Sequence, residues 1–415
     1  LKRESCKPGR EKLPLARKSL KQYYSPSVKV LGLMREFKQM TNDCIRIGLA
    51  SKTTSLKRLS LLSYKELKRF EMPSHYKLSA ISRASGILAS RKKSIRRGFV
   101  TKDPYLRRSI LISYTRFKII NGKLRIPLGN KKFEEIRLSK HIQNILSDLE
   151  LEVRSFTLTE TSLSLCVSKE VPAMQVTSVV GVDRNLRNLT VGCLKEVAYY
   201  DMNRVIEIGE TTKDLIRSFR RNDFRILKKI SSKYGHKKTE RVKRILHIIS
   251  KEIVQKAGSG MQGIVFEDIR GIRSLYQKGN YQGKDHRRQM NNHWPFAEIK
   301  RQIEYKAQWS GVPIIRLTKS ETRGTSSLCY QCGERLQGDK DHKRKLWCQK
   351  CGKWFDRDMV AVMNISNKGW LMFDHSKGEA GEAMVQESNR EVAILRVDVS
   401  KSIPKRTSLT CLQKI

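Results

Sequence analysis

Residues 177–192 read TSVVGVDRNLRNLTVG. The apolar run up to Val182 reads as a buried strand, Asp183 closes it, RNLR turns the chain, and NLTVG returns as a second strand. A carboxylate at the end of a buried strand needs a partner or a metal. Working outward, residues 263–268, GIVFED, make a strand closed by Glu267, and residues 313–317, PIIRL, make another. Around them lie a long helical stretch over 212–257, a helix over 295–309 and a short helix opening at Asp358 in DMVAVMNI, 358–365. Strands interleaved with helices predict a mixed-sheet α/β domain with acids at the ends of neighbouring elements.

Upstream the period changes. Val30, Leu33, Met34, Phe37, Thr41, Cys44, Ile45 and Gly48 follow the spacing of one helical face. A second helix fits 60–70, and a third runs from Pro73 and Ser74 toward Ala89. It ends in Arg91, Lys92, Lys93, Arg96 and Arg97, which read equally as a phosphate-seeking cluster or a solvated helix end. FKIINGKLRIPL, 117–128, alternates around Asn121-Gly122, a pair suited to a type I′ hairpin, and LEVRSFTL with SLSLCVS makes a second hairpin. The expected organisation is a basic irregular segment (1–27), a helical recognition-type unit (28–98) and a β-rich wedge-type domain, a small antiparallel barrel (99–172). A mixed-sheet domain (173–324 and 356–370) follows, carrying a cysteine-rich insert (325–355), and then a C-terminal tail (371–415) outside the core. The fold class is α+β and α/β, multidomain.

Lys and Arg number 85 against 40 Asp and Glu, a formal charge of +45. Self-repulsion of that size calls for a polyanion, and nucleic acid is the expected partner. Residues 211–257 hold 15 basic and four acidic residues, yet Val242, Ile245, Leu246, Ile249 and Ile253 keep one face apolar. Such a helix packs on protein and turns its basic side to a backbone. The loop 271–290, with Gly279, Gly283, Arg287 and Arg288, reads equally as a lid over the acids or a plain connection. No run of 18 apolar residues occurs and no hydrophobic segment follows the charged start, so a cytoplasmic protein without membrane spans is expected.

Cys6, Cys44, Cys166, Cys193 and Cys411 are scattered and odd in number, as reduced thiols are. Cys329, Cys332, Cys348 and Cys351 form C-x2-C-x15-C-x2-C, two knuckles able to face each other around a tetrahedral ion, each followed by a glycine, Gly333 or Gly352. Four thiolates leave no open coordination position, so the expected ion is one structural Zn2+. Taken singly, Asp183 reads as a turn residue, Glu267 as a strand end and Asp358 as a helix cap. Taken together, in a chain so poor in acids, they read as a cluster converging on divalent cations.

GVDRNLRNLTVG, IVFEDIRGI, WPFAEIKRQIEYKAQWSGVPI, TSSLCYQCG and WCQKCGKWFDRDMVAVMNI together resemble the TnpB family, transposon-encoded RNA-guided DNA endonucleases related to type V CRISPR effectors. The resemblance is specific over about residues 175–368 and looser before them. It implies an RNase H-like (RuvC) nuclease domain with an inserted zinc ribbon, and Asp183, Glu267 and Asp358 as catalytic acids holding two Mg2+. It also implies a guide RNA from the transposon end and target double-stranded DNA as partners, in a prokaryotic, nucleoid-associated setting. Arg91, Lys92, Lys93, Arg96, Arg97, Arg287 and Arg288 are candidate nucleic-acid contacts. Two departures stand out. Val360 replaces an Asn that many relatives carry two places after the last acid, and no opening strand of the wedge domain is evident in residues 1–27. The alternatives are a domesticated RNA-guided repressor that binds without cutting and a strand-transferring transposase.

Overall fold

The computed structural model describes residues 14–129, 132–219, 223–272, 294–339, 344–375 and 393–397. They fall into two units, one spanning Leu15–Glu170 and the other built from Val171 onward.

In the first unit, β1 (Leu15–Tyr23) corrects the expectation that residues 1–27 are irregular. It pairs antiparallel with β7, Leu15 opposite Glu170. Ala16 and Leu20 are buried, but Lys18 stands between them on the same face, half-buried, and masks the alternation. Burial holds the Lys18 ammonium below its ordinary pKa. Three helices follow, α1 (Val28–Ala50), α2 (Leu56–Ser63) and α3 (Ser74–Arg96). Ser27 caps α1, its hydroxyl accepting from the Val30 N–H, and the buried stripe is the expected one with Met40 added. The remaining elements are β2 (Ile110–Ser113), β3 (Lys118–Ile120), β4 (Lys123–Gly129), β5 (Lys132–Arg137), α4 (Lys140–Leu146), β6 (Glu152–Thr159) and β7 (Ser162–Glu170). Asn121 and Gly122 both have positive φ, 47° and 69°, and join β3 to β4 as a tight hairpin. Among the described residues these strands form two open sheets, β1-β7-β6-β2 and β3-β4-β5, in place of the expected barrel.

The second unit is built on a six-stranded mixed sheet in the order β12-β11-β8-β9-β10-β16. Its strands are β8 (Ser178–Arg184), β9 (Asn188–Gly192), β10 (Glu196–Asp201), β11 (Gln262–Phe266), β12 (Ile314–Arg316) and, at the edge, β16 (Ala393–Val397). β8, β11 and β12 run parallel to one another, and β9 is antiparallel to both of its neighbours. The expected single stretch over 212–257 is two helices, α5 (Asn203–Ser218) and α6 (Phe224–Ser259). The break falls where Asp223 accepts hydrogen bonds from the Arg225 and Ile226 N–H groups and starts α6. The tail is also not wholly outside the core, because β16 pairs parallel with β10, Glu196 level with Ala393.

One face of the sheet buries Val180, Val182, Ile264 and Phe266 against α6 and α7 (Phe296–Trp309). The other buries Val179 and Val265 with Ile365 of α8 (Arg357–His375). Gly181 makes this second contact possible: a Cβ there would land on the Val362 carbonyl oxygen of α8. Between β12 and α8 lie the short strands β13 (Gln337–Gly338), β14 (Lys345–Cys348) and β15 (Lys353–Asp356).

Candidate active site and metal centre

Alternation along β8 decides which side chains reach the site. Val180 and Val182 enter the α6 side, so Val179, Gly181 and Asp183 face α8. Along β11, Val265 faces α8, and Glu267 follows it on the same side. The parallel register places Phe266 beside Val182, so one step further Glu267 is level with Asp183. Asp358 arrives from the first turn of α8. Thus two strand ends and one helix start bring the three acids to one side of the sheet.

Asp183 and Asp358 are 8% and 6% exposed, and Glu267 is partly buried. The Asn185 amide spans the first two, Nδ2 donating to Asp183 Oδ2 at 2.7 Å and to Asp358 Oδ1 at 3.1 Å. Asn188 Nδ2 donates to Asp358 Oδ2 at 2.7 Å, and Arg344 Nη1 donates to the same oxygen at 2.5 Å. Burial, then the negative charges of Glu267 and Asp358, push the Asp183 carboxyl well above the usual carboxylate range. Burial also raises Glu267, opposed by the Arg184 guanidinium. The neighbouring acids are occupied elsewhere. Asp268 is held down to about 2 by its hydrogen bonds from Arg270. Asp356 is the cap of α8, accepting from the Asp358 and Met359 N–H groups and from Tyr199 Oη. The cap role that Asp358 would play alone therefore belongs to Asp356.

Val360 does not face the acids. It is fully buried among Cys329, Leu336, Leu346, Cys348 and Phe355, in the small core of the cysteine segment. The amide beside the carboxylates is supplied instead by Asn185, two residues after the first acid. Asn185, Asn188 and Arg344 are site residues that sequence reading missed. The only signal for the first two was the pair of asparagines in the turn RNLRN, and Arg344 carried none.

Cys329, Cys332, Cys348 and Cys351 have all four sulfurs within 4.8 Å of one another. Among the described residues this is the one group of three or more His, Cys, Asp or Glu side chains drawn so close; the three carboxylates are set wider. The Cys329–Cys351 and Cys332–Cys348 sulfur separations are 3.8 and 3.4 Å. A tetrahedron with Zn–S bonds of ~2.3 Å has edges of ~3.8 Å, so the cluster can hold zinc. Gly333 and Gly352, at φ 76° and 60°, close the two knuckles, each N–H bonding back to Cys329 O or Cys348 O at 2.9 Å. The Glu334 N–H holds the Cys332 thiol down at about 7, while its bonding with Cys332 pushes Cys351 up to about 12.

Lys92, Lys93, Arg96 and Arg97 are exposed at the end of α3, whereas Arg91 pairs with Asp103 at 2.7 Å. Arg287, Arg288 and most of the loop 271–290 lie outside the described residues. Among the described residues no helix is long and apolar enough to cross a membrane.

The Cas12f1-like TNB domain family matches residues 296–365, from α7 through the cysteine segment into α8. The chain is 27% identical over 266 residues to the TnpB-like protein MJ0751 of Methanocaldococcus jannaschii, covering 61% of this chain and 92% of that one. It is 24% identical to TnpB-like protein MJ1635 of the same organism, over 74% of this chain and 72% of the relative. A CRISPR-associated endodeoxyribonuclease Cas12f1 from an uncultured archaeon is 31% identical over 77 residues, 18% of this chain and 15% of the relative. A cryo-EM structure of a Cas12f1-sgRNA-target DNA complex shares the fold, with a TM-score of 0.56, 14% identity and coverage of 82% of this chain and 83% of that one. A mixed sheet carrying acids at its strand ends and a four-cysteine segment beside it define the class. The domain match, the TnpB-like relatives and the Cas12f1 structural likeness together support a TnpB-family protein related to the type V effectors.

Proposed function

We propose that this protein is an RNA-guided DNA endonuclease of a transposon, cutting its target at Asp183, Glu267 and Asp358 in a RuvC-like, RNase H-like domain. The observation that carries the reading is the Asn185 amide spanning Asp183 and Asp358 on the sheet face that Glu267 also occupies. Buried acids crowded together in a chain of charge +45 are held for a cation. Three carboxylates without thiol or imidazole suit hard divalent ions, and they would hold two Mg2+. When bound, Mg2+ would polarise the scissile phosphate and make water a nucleophile near neutral pH.

The chain's own groups do the positioning. Asn185 fixes the mutual orientation of Asp183 and Asp358, Asn188 holds the second Asp358 oxygen, and Arg344 brings a positive charge to the edge where a phosphate would sit. The cysteine segment would take one Zn2+ with a purely structural part. Sequence would be read by pairing between guide RNA and the target strand, the protein gripping phosphates through exposed cations such as Lys92, Lys93, Arg96 and Arg97. The names of the relatives, endodeoxyribonucleases among them, and the sgRNA and target DNA in the similar complex support this.

The test is to purify the protein with RNA expressed from its own locus, sequence that RNA, and assay Mg2+-dependent cutting of a matching duplex beside Asp183→Ala. Wild type should cut and the variant should lose about a thousandfold in rate or more. Equal cutting by both would overturn the assignment, and guided binding without cutting would leave a repressor.

A further inference from the structure

The edge strand β16 does more than extend the sheet. Arg396 and Val397 on it help line a cavity of about 420 Å³, within the ~300–1,000 Å³ typical of ligand sites. Arg187 and Arg344 line the same space, so three arginines border it against a single carboxylate, Asp201, with Arg187 Nη1 donating to Asn203 Oδ1 at 3.3 Å. Two of its walls, Asn188 and Arg344, are also hydrogen-bond donors to Asp358, which makes the cavity the immediate neighbour of the acid cluster. Tyr199 also lines it, while its hydroxyl bonds Asp356, the cap of α8. The five paired residues of β16, Glu196 level with Ala393 through Tyr200 level with Val397, fix the position of Arg396 by backbone register.

A rigid, planar, permanently charged fork is the side chain best matched to phosphate oxygens, and three around one cavity next to a carboxylate cluster suit an anion that spans both. We propose that this cavity binds a backbone phosphodiester of the DNA strand lying across Asp183, Glu267 and Asp358, and that the C-terminal strand β16, through Arg396, is part of that site. The proposal rests on the endonuclease reading for the identity of the strand, and on the cavity alone for the chemistry of the ligand. Arg396 is on this view a positioning residue.

The full-length protein with its co-purified RNA would be treated with phenylglyoxal, and arginine modification mapped by peptide mass spectrometry with and without a 5′-phosphorylated single-stranded tetradeoxynucleotide. The oligonucleotide should slow modification of Arg187 and Arg396 by about tenfold, in wild type and in Asp183→Ala alike. Inorganic phosphate at the same concentration should protect far less. Unchanged modification of Arg396, or equal protection by phosphate, would overturn the proposal. In the cutting assay Arg396→Gln should raise KM for target more than it lowers kcat, flatten the salt dependence of binding by about one phosphate contact, and be partly rescued by Arg396→Lys. A fall in kcat alone, with no rescue by lysine, would count against it. Protection in a chain that cuts nothing would keep the cavity as a phosphodiester site and remove the endonuclease reading.

Discussion

The cysteine segment and the carboxylate cluster both crowd like-charged groups, by opposite routes. The cysteines lie within 23 positions of one another, and short turns at Gly333 and Gly352 draw their sulfurs within 4.8 Å. The acids come from positions 183, 267 and 358 and meet only because β8, β11 and α8 pack together. The first cluster rests on a small core, Leu336, Leu346, Phe355 and Val360 beside the sulfurs, so a bound metal would add much of its stability. The second is scaffolded by a full sheet core and tied by Asn185 and Asn188, so its shape persists without one. The two are joined through α8, which carries Asp358 toward the sheet and Val360 into the cysteine core.

That contrast can be broken in several places. Cys348→Ser should remove zinc and cost several kcal/mol, and because Val360 shares the cysteine core, the position of Asp358 should fail with it. Metal analysis, thermal unfolding and the cutting assay on one preparation check this, and a zinc-free variant that keeps full stability would erase the distinction. Gly181→Ala should push α8 off β8 and destabilise by about 1–3 kcal/mol, read by urea unfolding, with zinc content unchanged. The acid cluster should also respond to pH. Asp183 and Glu267 have raised pKa values, so their protonated forms contribute stability that is fully present below about pH 4 and is lost as pH rises through the raised values, ~1.4 kcal/mol for every tenfold weakening of the acid on folding. Mg2+ should therefore raise the melting temperature more at about pH 8 than at about pH 5, and an equal gain at both would refute the crowding argument. The smallest effect is expected for Tyr199→Phe, which removes one hydrogen bond to the α8 cap, ~0.5–1.5 kcal/mol by thermal unfolding.

What could be read from the residues follows the same division. The cysteine spacing is a local pattern, and so are the α1 stripe and the Asn121-Gly122 turn. Asp183 and Glu267 were visible as acids closing apolar runs, because alternation carries facing information along a strand. For Asp358 the resemblance carried more than any local pattern, and its neighbour Asp356 is consumed as a cap. Strand β1 was hidden by the inward Lys18, β16 by its short and exposed sequence, and the α5–α6 break by a basic composition that runs through both helices. Arg344 carries no local pattern at all, and Asn188 only the asparagine pair of its turn, which does not point to Asp358, 170 residues away.

The strict alternation of β8 makes the site brittle to insertions and deletions. Arg184 points the opposite way from Asp183, its guanidinium lying over the Phe266 ring and donating to the Glu267 carbonyl oxygen. Loss of one codon within residues 178–182 would exchange the two faces, setting an arginine among the acids and a carboxylate in the hydrocarbon layer. Drift in this lineage should thus tolerate swaps of side chain along 178–184 far better than any change in its length.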